Sequence, residues 1–391
     1  MALSKASVLR AYYFASFASI GVLLPFLSPW LQALGMRGMA LGTIAATRPL
    51  AGIFAPVLFG WLADNLGLRG SILRFACLGA LLPFAIVAAA AGLGHRFSWV
   101  ELLLAVGISS FFRVPMMTIA DVAALEQRKS YGALRLWGSL GFMAAALLAG
   151  RLIEPTNAFA FPAAVTVGFL FSLALSFRFP GKIAVPKKPE RRDLSHLVRH
   201  PAFLQLLLAT TIWSFSHVAY DLCVSLTLRD LGASAFVTSI AWNIGVVAEI
   251  FLMATFARFG KMLTFSHWLR LGLTATVLRF MGLAFATTLP QVLWLQPLHA
   301  LSFALVWMAA MALVKERAPV GLLGTAQGLF STACSIGATL GMLLFGSLFE
   351  HYNARVTFLA AALVAVIGVV VMALHETAGN TRPAETHTGA Q

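Results

Sequence analysis

Residues 8–30, VLRAYYFASFASIGVLLPFLSPW, carry a single charge, Arg10, in a run long enough to cross a bilayer as helix. About 20 apolar residues span ~30 Å of hydrocarbon. Runs of this kind recur near 41–63, 71–91, 99–123, 133–153 and 158–179. A polar stretch interrupts them, and a second set follows near 201–227, 235–258, 264–288, 290–314, 322–349 and 352–375. The 391 residues are 60% hydrophobic and only 11% charged, far below the roughly 25% charged residues of soluble domains. The pattern predicts an all-α membrane protein of twelve transmembrane helices in two pseudo-symmetric six-helix bundles. The bundles fall at 1–179 and 201–376, joined by a cytoplasmic linker over 180–200, with a polar, disordered tail over 377–391. The first run is long, carries Pro25 and Pro29 and lacks a small-residue cleavage end, so it reads as a retained helix.

The formal net charge of +14 is spread over the short segments between apolar runs, where cytoplasmic loops collect Lys and Arg. No basic stripe with interleaved aromatics stands on a soluble domain, so no nucleic-acid partner is expected. With both termini in the cytoplasm, about nineteen of the 28 basic residues fall inside and roughly five outside: Arg37, Arg96, Arg151, Arg229 and Arg355. The linker alone holds Lys182, Lys187, Lys188, Arg191, Arg192 and Arg199. This orientation, in a bacterial-type inner membrane, is the expectation. Cys77, Cys223 and Cys334 are scattered, without CxxC spacing, so no disulfide framework, metal or cofactor is implied.

The halves resemble each other. Ala51-Gly52-Ile53-Phe54 recurs as Ala248-Glu249-Ile250-Phe251, and Gly150-Arg151-Leu152-Ile153-Glu154 as Gly346-Ser347-Leu348-Phe349-Glu350. The two offsets are nearly equal and close to half the chain, as a duplicated six-helix unit requires.

An ionisable group at the bilayer centre costs at least about 2.5–3.5 kcal/mol, so each is a functional candidate. Arg113 in the fourth span, Glu249 in the eighth, Arg279 in the ninth and His299 in the tenth lie near the midplane. Arg48 and Asp221 lie nearer the outer face, and Asp121 nearer the inner one. A glutamate in lipid must be paired or protonated, because desolvation disfavours its charged form. Arg279 is its natural partner, and a carboxylate that trades an arginine for a proton is a coupling device. Glu249 is the first candidate for that role and Asp221 the second; a static ion pair joining helices reads the same residues differently. His299 suits a proton path, its unperturbed pKa lying near about 6.5, or a neutral hydrogen-bonding role beside Gln296. His217 and Asp221 are spaced i, i+4 and share a face with Trp213, which suggests a coupled pair.

Arg48 and Arg113 have no acidic counterpart at equal depth in their own half. An arginine without a protein partner in a cavity points to an anionic solute, since the guanidinium fork matches a carboxylate; bonds to backbone carbonyls, or an acid on another helix, are the alternative. The substrate-binding candidates are Arg113, Arg48, Tyr13, Phe17, Trp213, His217 and Asn243. Gly60-Trp61-Leu62-Ala63-Asp64 followed by Arg69 makes a tight turn suited to gating, and Asp121 and Arg135 join Asp64 and Arg69 as gating candidates. Trp137-Gly138-Ser139-Leu140-Gly141 and the stretch Ser335-Ile336-Gly337 to Gly341 place small residues where helices can approach closely.

The Gly60 to Arg69 turn resembles, in shortened form, the loop signature of the major facilitator superfamily. The stretch Tyr131-Gly132-Ala133-Leu134-Arg135-Leu136-Trp137-Gly138-Ser139-Leu140-Gly141-Phe142 is similar to that of the phenylpropionic acid transporter group, a branch near the lactose permease and nucleoside–proton symporters. The resemblance implies proton-coupled symport, an aromatic-acid substrate, and a cavity lined by the first and seventh spans, with Tyr12, Tyr13, Phe17, Trp213, Phe215 and Tyr220. By the lactose permease pattern, Glu249, Arg279 and His299 occupy coupling positions, with Asp221 in a similar charge-paired place. Departures remain: no second carboxylate follows His299, the eleventh span lacks a lysine, and Lys261 stands where a duplicated Asp is expected. A sugar substrate is therefore not expected.

The leading expectation is a monomeric secondary transporter, not an enzyme, whose partners are a small organic acid, a proton and the bilayer. An efflux antiporter for hydrophobic compounds on the same fold, or a sugar or nucleoside symporter, is the alternative. An intramembrane enzyme would show a metal-ligand, paired-Asp or Ser/His constellation at useful spacing, and a receptor would add a soluble signalling domain.

Overall fold

The computed structural model describes residues 5–66, 69–125, 131–154, 157–179, 197, 199–318 and 323–379. Six helices form the first half: α1 (Lys5–Ala33), α2 (Gly38–Leu66), α3 (Arg69–Gly92), α4 (Trp99–Leu125), α5 (Tyr131–Leu152) and α6 (Ala160–Ser176). The second half has α7 (Pro201–Asp230), α8 (Ala235–Phe259) and α9 (Phe265–Phe285). Its tenth pass is broken into α10 (Leu289–Trp294), a π-helical segment (Ala300–Leu305) and α11 (Val306–Arg317). It closes with α12 (Leu323–His351) and α13 (Ala354–Gly379). In hydrocarbon every backbone N–H and C=O must be satisfied within the segment, which leaves helix as the form these apolar runs adopt. Among the described residues nine helices are long and apolar enough to cross on composition alone. Helices α5 and α6 and the broken pass complete the twelve.

Helix ends follow local chemistry. The α4 start carries a reciprocal cap: Glu101 accepts the Ser98 backbone N–H at 2.7 Å, and Ser98 Oγ accepts the Glu101 N–H at 3.3 Å. Ser234 Oγ caps α8 through Val237 N–H, and Thr264 caps α9 through His267 N–H. Helices α1 and α7 end alike. Gly35 (φ 88°) and Gly232 (φ 84°) take the left-handed conformation. In both turns the next N–H reaches back five residues: Met36 to the Leu31 carbonyl and Ala233 to the Leu228 carbonyl, each at 2.9 Å.

The duplication suggested by the sequence is also carried by the packing. In the first half α1 packs on α5 and α6, and α3 on α4 and α6; in the second, α7 packs on α12 and α13, and α9 on α13, α11 and the π segment. Glycine permits the closest of these contacts. A Cβ on Gly141 would meet the carbonyl of Phe14, and one on Gly337 the carbonyl of Thr211. Between the halves, α2 lies on α12, α5 on α8 and α1 on α7. A Cβ on Gly346 would sit 2.7 Å from Gly42 Cα, and one on Gly150 would sit 2.5 Å from Ser239 Oγ. These paired contacts lie at the face opposite the start of α1 and the end of α13, called here the far face. They close the two halves there, and the contact between α2 and α12 continues inward to Gly52 and Ser335.

Two expectations are corrected. The tenth span is not one continuous helix over 290–314. Pro297 has no N–H to donate, so the helix breaks after Trp294 and resumes as a π turn. The last helix runs through Thr377 to Gly379, past the expected start of the tail. The linker over 180–200, apart from Leu197, Arg199 and His200, and residues 380–391 lie outside the described residues, as do the side chains of Asp64 and Arg69.

Candidate substrate and coupling site

The break in the tenth pass presents His299 to two charged partners. Arg279 on α9 is fully buried, and its Nη1 lies 2.7 Å from His299 Nδ1. A guanidinium only donates, so Nδ1 accepts. The proton of the neutral ring is therefore on Nε2, which points at Glu249 Oε1 on α8 at 2.8 Å. Glu249 and Arg279, expected to pair directly, are instead bridged by His299. The bridge needs room: a Cβ on Gly245, one helical turn before Glu249, would fall 3.2 Å from His299 Cδ2.

Arg279 is held on its other sides as well. Nη1 donates to Ser302 Oγ and Nη2 to Gln296 Oε1, each at 3.2 Å, and the guanidinium stands 3.9 Å over the Tyr220 ring. Tyr220 Oη donates to the same Gln296 oxygen at 2.6 Å. Within the π segment, the Ser302 carbonyl accepts from Trp213 Nε1 (2.9 Å) and Thr276 Oγ1 (3.2 Å). Gln296, expected beside His299, thus serves Arg279 and Tyr220. Ser302 and the π turn escaped the sequence reading; Pro297 in mid-span was their one signal.

The remaining charges form a second group. Asp221 on α7 feels Arg48 first, then Arg279, with Glu249 as a like charge. Arg48 on α2 finds its acid in the opposite half, and its like-charged neighbour is Arg113 on α4. The Nε atoms of Arg48 and Arg113 are buried without a hydrogen-bond partner. On α5, Arg135 lies 3.7 Å over the Phe17 ring and is the second positive charge acting on Glu249, after Arg279. The six residues Arg113, Arg48, Asp221, Arg279, Glu249 and Arg135 make one electrostatic chain that leaves the first half, crosses the second and returns. Four guanidiniums stand against two carboxylates, so the group carries a surplus of two positive charges when both carboxylates are ionised and His299 is neutral.

His217 does not pair with Asp221 among the described residues: its Nδ1 is buried without a partner, and its ring packs 5.5 Å from His299 and 5.3 Å from Trp213. The imidazole packs into the aromatic core of the second half, among Trp213, Tyr220, Phe280, His299 and Phe303. Trp213 is only 3% exposed, its N–H spent on Ser302. Tyr13 is fully buried and donates to Asp121 Oδ1 at 2.6 Å, joining α1 to α4. Asn243 Nδ2 donates to the Met143 carbonyl at 3.3 Å across the α5–α8 contact, and its Oδ1 is left without a partner.

Twelve passes in two related halves, with ionisable groups gathered between them, define a secondary transporter of the major facilitator type. The chain belongs to the MFS_1 like family, which matches residues 7–360. It is 26% identical over 377 residues to the probable 3-phenylpropionic acid transporter of Escherichia coli (strain K12), covering 94% of this chain and 97% of that protein. It is 27% identical to the maltose permease of Geobacillus stearothermophilus, covering 95% of each. It superposes on the crystal structure of the nucleoside transporter NupG with a TM-score of 0.78 at 16% identity, covering 97% of this chain and 100% of that one. The protein is a membrane transporter and not an enzyme.

Proposed function

We propose that the protein is a proton-coupled symporter of a small organic acid, with an aromatic carboxylate such as 3-phenylpropionate as the first substrate to try. The observation that carries this reading is the cationic surplus of the central site, with Arg48 and Arg113 holding buried, unpartnered Nε atoms. A carboxylate bound between them would satisfy these donors and offset the surplus. The similarity to a probable 3-phenylpropionic acid transporter supports the same class of substrate.

Glu249 is the proton site in this reading. While ionised it takes a charge-assisted bond from His299 Nε2–H. Protonation removes that charge assistance, one of the two carboxylate charges acting on Arg279, and the like charge acting on Asp221, and an incoming carboxylate restores the balance. Proton and anion thus favour each other's binding, which is what symport requires. Asp221, under the charge of Arg48 from the other half, is the second proton site. With the chain's ends in the cytoplasm, the packed far face is the outer one, and alternating access rocks the halves about the glycine contacts.

Uptake of labelled 3-phenylpropionate into proteoliposomes, with and without an imposed pH gradient, tests the reading. Wild type should accumulate the acid only with the gradient, and Glu249→Gln should exchange it across the membrane without accumulating it. Full gradient dependence retained in both Glu249→Gln and Asp221→Asn would end the proposal.

A further inference from the structure

A second concave feature lies outside the central site, on the membrane-facing side of the first half. Helices α5 and α6 pack on either side of α1 and barely touch each other, leaving a crevice of about 900 Å³, at the upper end of the roughly 300–1,000 Å³ that small-molecule pockets occupy. Small residues recur along its lining: Ala11, Ala15 and Ala18 lie with Phe14 on one stripe of α1, and Ala145 and Gly168 line it from α5 and α6. Leu148, Val167 and Phe171 form its walls and are more than half exposed. From Arg10 to Val22 the crevice follows α1 for about 18 Å. One leaflet offers ~15 Å of hydrocarbon, so the depth suits the tail of one lipid.

The polar end decides the occupant. Arg10 closes the crevice near the start of α1, its guanidinium carbon 6.0 Å over the ring of Trp137, which is 38% exposed. Its Nε is buried without a hydrogen-bond partner. Leu175 lines the same end, and exposed Arg178 follows it just past α6. A helix from a second copy laid in this crevice would press apolar side chains against Arg10 and leave its charge unanswered. A phosphate answers it, because the guanidinium fork matches phosphate oxygens in two parallel bonds. Basic pockets between transmembrane helices at the headgroup level bind anionic lipid in this way.

We propose that this crevice is a binding site for one anionic phospholipid, its phosphate on Arg10 and its acyl chains over the small residues between α1, α5 and α6. The site is separate from the charges of the central chain.

The test uses the full-length protein in detergent, titrated with phosphatidylglycerol or with phosphatidylcholine of the same acyl chains, with retained lipid counted by native mass spectrometry. Wild type should retain one phosphatidylglycerol in preference to phosphatidylcholine. Arg10→Gln should weaken that retention about tenfold, the worth of one charge-assisted bond. Ala144→Phe fills the crevice from an exposed position of α5 that the core does not use; it should abolish retention while preserving the fold, so it carries the test should Arg10→Gln not fold. Equal retention of the two lipids overturns the proposal, as does wild-type retention by Ala144→Phe. So does a disulfide-linked dimer formed through Leu148→Cys, which would show a second copy in the crevice.

Discussion

Arg279 donates to Nδ1 of His299 at 2.7 Å, and this one contact fixes which nitrogen of the imidazole carries its proton. With Nδ1 accepting, Nε2–H is committed to Glu249, and the ring links a permanent cation to a titratable anion.

Removing the ring should be costly. His299→Leu strips an acceptor from a buried guanidinium and a donor from a buried carboxylate, a loss on the order of 3 kcal/mol. His299→Gln keeps an oxygen for Arg279 and should lose less. Thermal unfolding in detergent measures both; a His299→Leu protein as stable as wild type would show that the bridge contributes nothing.

Gly245 tests the same bridge from the backbone side. A Cβ there would crowd His299 Cδ2 at 3.2 Å. Gly245→Ala requires a shift of a few tenths of an ångström, whereas Gly245→Val adds two methyls to a buried position and should cost about 1–3 kcal/mol. Gradient-driven uptake should fall modestly in the first and by at least about tenfold in the second. Unchanged uptake in Gly245→Val would mean that His299 need not approach α8.

The far-face contact makes a conformational prediction. Gly346→Leu places a side chain where Gly42 Cα leaves no room, so the closed far face loses about 1–3 kcal/mol relative to the open one. Reaction of Ser335→Cys with a membrane-impermeant thiol reagent from the far side should speed up about tenfold in the Gly346→Leu background. No change in that rate would place the moving surface elsewhere.

Anion recognition is tested at Arg113. Arg113→Gln should weaken uptake of the acid about tenfold or more, as expected for loss of a charge-assisted bond, while leaving the amide analogue at its already low rate. Acid and amide transported equally by the wild type would remove the carboxylate from the recognition scheme.

The membrane-spanning pattern was legible because each pass is a local property: a run of apolar residues must bury its own backbone polarity, whatever its neighbours are. The duplication was legible in two short matches, and the structure expresses it in Gly35 with Gly232 and in Gly150 with Gly346. The charged residues were legible as exceptions in apolar runs. Their pairing was not. Spacing along α7 suggested a His217–Asp221 pair, yet the imidazole packs on Trp213 and His299, and the cation acting most strongly on the carboxylate is Arg48 on another helix. Arg135, read as a gating residue, acts on Glu249 across the α5–α8 contact.

Sequence by itself determined that this chain crosses the membrane twelve times in two related halves, since composition and hydrophobic run length act within each segment. It also determined which residues carry charge into the bilayer. Tertiary structure alone decided that Arg48 and Asp221 act on each other across the halves and that His299 stands between Glu249 and Arg279. Those relations depend on how helices distant in the chain rotate and pack, and on where Pro297 breaks a helix, none of which a local pattern encodes.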